Sequence, residues 1–178
     1  MINFLIPGFY ENFKLNVKLL DVLKDYPYYF YDGVRIEAVY GSFPFNIWDG
    51  GRTFPVYLHA TREEIEKIKH TFNDIYDVNI RQVMTNPVIK EDNFCNRFGN
   101  ICLSLCENER NEVIINNNDF EEFVRETYPK YQFISSTTKC INTVEGFKNE
   151  LDNPNYRMVC LDYNLNHNWK MLEQLTEE

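Results

Sequence analysis

A chain of 178 residues, 44% hydrophobic and 25% charged, can bury one ordinary core and lies outside the composition of disordered proteins. Its 18 Lys and Arg against 27 Asp and Glu give a net charge of −9, which argues against the clustered cations of a nucleic-acid or anionic-membrane binder and fits a small-molecule protein or one with a basic partner. No apolar run reaches the roughly 18 residues of a membrane span, and the start (Met1-Ile2-Asn3-Phe4-Leu5-Ile6-Pro7-Gly8) has no basic leader of a secretory signal. In chain order, Asn3 to Ile6 reads as a buried strand closed by Pro7-Gly8. From about Tyr10 to Lys24, Phe13, Val17, Leu20 and Leu23 mark one face of a helix. Val34 to Tyr40 is a second strand, followed by a long aromatic and glycine-rich loop. Thr61 and Glu64 form a capping box at the head of a helix carrying Ile65, Ile68 and Phe72. Val78 to Met84 is the third strand.

The second half repeats the scheme on a shorter period. A helix from about Asp92 to Leu105 leads to a strand at Glu112 to Asn116, then to a helix capped by Asn118 with Asp119, Glu121 and Glu122 in its first turn. Tyr131 to Ser135 is the fifth strand. Asn142 caps the next helix, Pro154 breaks it, Arg157 to Asp162 is the sixth strand, and a helix from about Asn166 to Leu175 ends the pattern. The whole of residues 1–178 reads as a single βα-repeat domain without linker or low-complexity tract. Alternating strands and helices imply a parallel sheet. Six βα units are about two short of a closed TIM barrel, so the alternation allows an open doubly wound sheet, a reduced barrel or a partial barrel completed by another chain. The expected fold is α/β, a reduced or incomplete TIM-like barrel of about six βα units. Its edge strands would pair with something or be covered.

In such a fold ligands bind beyond the carboxyl ends of the strands. The candidates there are Asn86, Asn116, Ser136, Thr137 and Asp162, all of which also suit strand ends and helix caps. Alternation along the second strand places Arg35, Glu37 and Val39 on one face, with Arg35 and Glu37 a candidate polar pair, buried or catalytic. The loop from Gly41 to Arg52 is long for this class, and Phe45, Trp48 and Arg52 are its candidate partner contacts. The five cysteines (Cys95, Cys102, Cys106, Cys140, Cys160) contain no CxxC pair and suit reduced thiols in the cytoplasm, with Cys102 and Cys106 as helical core. The three histidines lack metal-ligand spacing, so no metal and no cofactor is expected. The 22 asparagines read as compositional drift that supplies caps and turns.

Four segments carry a family resemblance: Ile80-Arg81-Gln82-Val83-Met84-Thr85-Asn86-Pro87, Asn111-Glu112-Val113-Ile114-Ile115-Asn116-Asn117, Phe133-Ile134-Ser135-Ser136-Thr137-Thr138-Lys139-Cys140 and Val159-Cys160-Leu161-Asp162-Tyr163-Asn164-Leu165-Asn166. Over about residues 79–175 the chain resembles the front part of the collagenase-like peptidase family of TIM barrels and its uncharacterised clostridial relatives. The resemblance implies a barrel with Asn86, Asn116, Ser136, Thr137 and Asp162 at its rim. Some members of that family hold an iron–sulfur cluster on later cysteines and act in hydroxylation of RNA or quinones, and others are described as peptidases. This chain is expected to end before the cluster cysteines.

The residues support two readings, and whether the chain is an enzyme stays open between them. In the first it is a truncated barrel that acts by protein–protein contact, with another protein or with a second copy of itself. A specific form of this is an acidic inhibitor, of mobile-element or phage type, that occupies the basic groove of a nucleic-acid enzyme without touching nucleic acid or membrane directly. In the second it is an enzyme or small-ligand domain with its site at the strand ends, around Glu37, Asn86, Asn116, Ser136 and Asp162.

Overall fold

The computed structural model describes residues 2–50, 54–55 and 58–176, and their backbone is organised by one six-stranded sheet. Its strands are β1 (Ile2–Pro7), β2 (Val34–Gly41), β3 (Asn79–Met84), β4 (Glu112–Ile115), β5 (Gln132–Ser135) and β6 (Tyr156–Val159). Every neighbouring pair is parallel, and the order across the sheet is the order along the chain. Between and after them run α1 (Phe13–Asp25), α2 (Arg62–Lys69), α3 (Arg97–Cys106), α4 (Asn118–Thr127), α5 (Val144–Leu151) and α6 (Trp169–Thr176). Crossovers of one hand with no reversal of strand order place all helices on the same face of the sheet. The sheet curls into an incomplete TIM-like barrel with the helices outside.

The core lies between sheet and helices. Ile36, Val39, Ile80, Val113, Ile115 and Phe133 from the strands meet Leu20, Ile65, Phe72, Leu103, Phe120 and Val124 from the helical layer. Burial of side chains of this size stabilises the fold by roughly 1.5–3 kcal/mol each. Local chemistry sets the helix starts. Thr61 and Glu64 make the reciprocal capping box that their spacing predicts, with Thr61 N donating to Glu64 Oε2 at 2.8 Å and Glu64 N to Thr61 Oγ1 at 3.2 Å. Two other caps lie one residue away from the expected position. Asn117, not Asn118, accepts from Phe120 N at 2.9 Å, and Thr143, not Asn142, accepts from Gly146 N at 3.1 Å. The helix expected from Asp92 begins at Arg97, because Asn96 caps it through Gly99 N and Glu91–Asn93 forms a separate 3-10 turn. At the chain's end Asp162 caps a 3-10 turn at Tyr163–Leu165, so α6 starts at Trp169 rather than Asn166.

Two β-bulges break the period-2 reading of the strands. Between β1 and β2, Phe4 pairs with Ile36 and Leu5 with Ala38, leaving Glu37 as an extra residue. Between β5 and β6, Phe133 pairs with Tyr156 and Ile134 with Met158, leaving Arg157 extra. A bulge re-aims one side chain and shifts those after it. Val39 consequently joins Ile36 in the helix-side core, and the expectation that it shares a face with Glu37 does not hold.

Candidate functional site

The inner face of the barrel has a charged floor. Glu37, the extra residue of β2, and Arg157, the extra residue of β6, meet there with Arg81 of β3 and Glu112 of β4. Arg81 Nη2 donates to Glu37 Oε1 at 3.0 Å, and its Nε donates to the Glu112 carboxylate. Arg157 Nη2 donates to Glu37 Oε1 at 2.8 Å, and its Nη1 to Glu112. Arg81 and Glu112 are buried, whereas Arg157 keeps 41% of its side chain exposed. Two guanidiniums thus face two carboxylates, and a pair buried this way needs such mutual satisfaction to be tolerated. Arg35, expected to pair with Glu37, is exposed and donates to Asn3 Oδ1 at 2.7 Å instead. The Glu37–Arg157 contact also measures curvature. Four strand spacings in a flat sheet would separate β2 from β6 by about 19 Å; side chains joining them require a sheet curled toward barrel radius.

Above this floor, toward the carboxyl ends of the strands, the inner face encloses a cavity of about 420 Å³. Its walls are mostly apolar: Leu5, Tyr40, Val83, Ile114, Ile134 and Cys160. Its rim carries the hydroxyls of Thr85, Ser136, Thr137 and Thr138. Burial pushes the Cys160 thiol up, partly opposed by the Arg81 guanidinium, so it stays protonated and packs as a small apolar group.

The residues expected at the rim divide. Ser136 and Thr137 line the cavity, but their oxygens are engaged locally: Ser136 Oγ accepts from Thr138 N at 3.1 Å, and Thr137 Oγ1 donates to the Leu161 carbonyl at 2.5 Å. Asp162 is buried as a cap, accepting from Asn164 N at 2.9 Å. Asn86 straps down the long loop, donating to the Ile47 carbonyl at 2.7 Å and accepting from Val88 N at 3.0 Å. Asn116 donates Nδ2 to the Thr85 carbonyl at 3.1 Å, and its buried Oδ1 has no partner among the described residues. Glu37 belongs to the charged floor, below the cavity.

The long loop also differs from expectation. Trp48, a candidate partner contact, is buried; its Nε1 donates to the Asn93 carbonyl at 3.0 Å, and its ring packs on Phe120 and against Gly99. It is a packing residue because α3 offers a glycine where any side chain would collide. Phe45 is half-exposed at a left-handed φ of 69° and stacks on His59 at 4.0 Å. Arg52 lies outside the described residues.

Sequence reasoning missed two clusters on the helix side. Asn73 and Asn111 are buried and bonded to each other, with Asn108 and Arg110 around them. Lys139 bridges Glu150 and the Tyr156 hydroxyl, both at 2.7 Å, while Tyr156 donates to Glu121. Burial alone would raise the Glu150 carboxyl, but the hydrogen bonds from Lys139 and Ser135 outweigh it and hold it below the usual range. Cys102 and Cys106 are core residues of α3, and burial pushes the Cys106 thiol up to about 12. Among the described residues no three His, Cys, Asp or Glu side chains converge as a metal site, and no helix is long and apolar enough to cross a membrane. No protein-family model, curated protein or solved structure matches the chain, so the resemblance to collagenase-like peptidases rests on the quoted motifs.

Proposed function

We propose that this chain acts by contact, receiving part of another protein in the opening between β1 and β6. The carrying observation is the inner face, which no helix among the described residues covers. Parallel sheets are normally covered on both faces, yet here helices cover one, and the other presents Leu5, Tyr40, Val83 and Ile114 incompletely buried. The net charge of −9 suits a basic partner, and an inhibitor that occupies the basic groove of a nucleic-acid enzyme is one form of that reading. Five unpaired thiols suit a cytoplasmic setting.

The test is native mass spectrometry of the protein isolated from its own cells, beside the variant Leu5→Glu. The wild type is expected to carry a second polypeptide that the variant loses. A small molecule bound in place of a polypeptide overturns the reading. That outcome would favour a ligand site at the strand ends, the second reading, for which the Oδ1 of Asn116, without a partner among the described residues, is the specific support.

A further inference from the structure

The contact reading leaves open which edge the partner meets and in what form. The surroundings of β1 answer both, and a docking site at β1 rests on that reading. Apolar hollows flank β1 on its two faces. On the inner face Leu5, 39% exposed, belongs to the 420 Å³ cavity. On the outer face Phe4 and Ile6 join Leu19 and Leu23 of α1 with Tyr29 and Tyr31 in a second hollow of about 390 Å³. Phe4 is 49% and Leu19 38% exposed, so this hollow is open, and it lies beside a strand that, among the described residues, has a neighbour on one side only.

We infer that β1 accepts an extended, apolar segment of another protein as a further parallel strand. Successive side chains of an added strand point to opposite faces. Those on one side would enter the inner cavity beside Leu5, and those on the other would enter the hollow of Phe4, Leu19 and Tyr29. The occupant must therefore be apolar at consecutive positions, the pattern of a strand buried on both faces, rather than alternating. Main-chain hydrogen bonds to the open edge supply affinity, and the two hollows supply selectivity. β6 offers less: it is four residues long and its Arg157 is committed to Glu37 and Glu112.

The width of the opening selects an extended segment over a second copy. An eight-stranded barrel sets its second and sixth strands opposite one another, so a Glu37–Arg157 contact across β2 and β6 leaves space for about two strands between β6 and β1. A whole second copy would have to bring its helical layer into that space. Basic residues flanking the segment would complement the net charge of −9.

The test uses two synthetic lysine-flanked peptides about as long as the six residues of β1. One has Val-Ile-Val-Phe-Ile-Val at its centre, and the other alternates Val with Lys. Binding is read by titration and the contact by amide hydrogen exchange. The first peptide is expected to bind at least tenfold tighter than the second and to slow exchange at Asn3 to Ile6. Leu5→Glu and Leu19→Glu, on opposite faces of β1, should each weaken it at least tenfold, while Leu151→Glu, on α5, should leave it unchanged. Circular dichroism checks that all three variants fold. Equal binding of both peptides, or loss in only one of Leu5→Glu and Leu19→Glu, overturns the two-faced strand. Protection at β6 in place of β1 overturns the edge assignment and leaves the contact reading standing. A dimer already protected at β1 makes the occupant a second copy and also overturns the inference. A monomer that binds neither peptide and carries no polypeptide from its own cells removes both.

Discussion

Glu37 and Arg157, 120 residues apart in the chain, are each the extra residue of a β-bulge, and their side chains meet at 2.8 Å across the inner face. The contact closes a ring of four charges around Arg81 and Glu112, whose members differ sharply in burial. Removing one partner of a buried pair leaves an uncompensated charge, costing about 3–5 kcal/mol, whereas exposed pairs contribute about 0–1 kcal/mol. Arg81→Met is therefore expected to cost on the order of 3 kcal/mol, and Arg157→Met about 1 kcal/mol. The double variant Arg81→Met/Glu112→Leu should recover part of the Arg81→Met loss. Urea unfolding curves check the order. Equal losses at Arg81 and Arg157 would show that the ring does not share its charges as the geometry indicates.

Asn111 supports the helix side of the sheet. It donates Nδ2 to the Cys106 carbonyl at 2.7 Å and to Asn73 Oδ1 at 2.9 Å, and its own Oδ1 accepts from Ile80 N at 2.8 Å and from Asn73 at 2.9 Å. Both halves of the amide are in use, so no isostere can replace it. Asn111→Leu leaves the Ile80 N–H buried without its acceptor and takes one hydrogen bond from the Cys106 carbonyl and two from the Asn73 amide, which keeps Val78 and Asn108, at about 2–4 kcal/mol. Asn111→Asp should cost more at pH 7, because a carboxylate cannot donate and brings a buried charge. Its deficit should shrink as the pH falls, once the introduced carboxyl is protonated and can donate again. A loss independent of pH would contradict the assigned hydrogen bonds.

Gly99 tests the packing of the long loop. A Cβ there would lie 2.5 Å from Trp48 Cζ3, and one at Gly50 would lie 2.1 Å from the Thr85 carbonyl oxygen. A ring can shift more easily than a backbone carbonyl. Gly99→Ala is expected to cost about 1–3 kcal/mol, and Gly50→Ala more. In a Trp169→Phe background Trp48 is the single indole, so its emission should be blue in the parent and shift red in Gly99→Ala. An unshifted spectrum with full stability would place Trp48 elsewhere.

These residues show where the sequence is legible and where it is not. The order of strands and helices, the Thr61–Glu64 box and the six-unit parallel fold follow from period and capping chemistry, because each is encoded within a few residues. The bulges at Glu37 and Arg157 are not, since an extra residue in one strand is defined only against its partner strand. For the same reason simple alternation puts Val39 on the wrong face. The Asn73–Asn111 pair is hidden among 22 asparagines that read as caps and turns. Trp48 has a usable signal: an isolated glycine inside a helical pattern, Gly99, marks the close approach of a large group. Asp162 and Asn86, read as rim residues, satisfy nearby backbone groups, and strand-end chemistry alone cannot separate that role from ligand binding.

The thiols give the chain a predictable response to alkali. Burial raises the Cys106 thiol to about 12 from an ordinary 9.0, and it raises Cys102 and the Tyr131 hydroxyl as well. A group whose value is higher in the folded state stabilises fully below its unfolded value, and that stability is lost as the pH climbs toward the folded one. For Cys106 the window runs from about 9 to about 12 and is worth on the order of 4 kcal/mol. Urea midpoints are expected to hold level from about pH 7 to 8.5 and to fall steadily above about 9, with Cys102 steepening the fall. Thiol labelling at pH 8 should separate the same residues. Exposed Cys95 and Cys140 should react at once, half-buried Cys160 slowly, and Cys102 and Cys106 only as the protein unfolds. Cys106→Ala carries its own packing loss, so the slope of stability against pH is the informative quantity, and it should be shallower than in the parent. An unchanged slope together with prompt labelling of Cys106 would mean that α3 opens to solvent in the native state, against the packing of its inner face on β3 and β4.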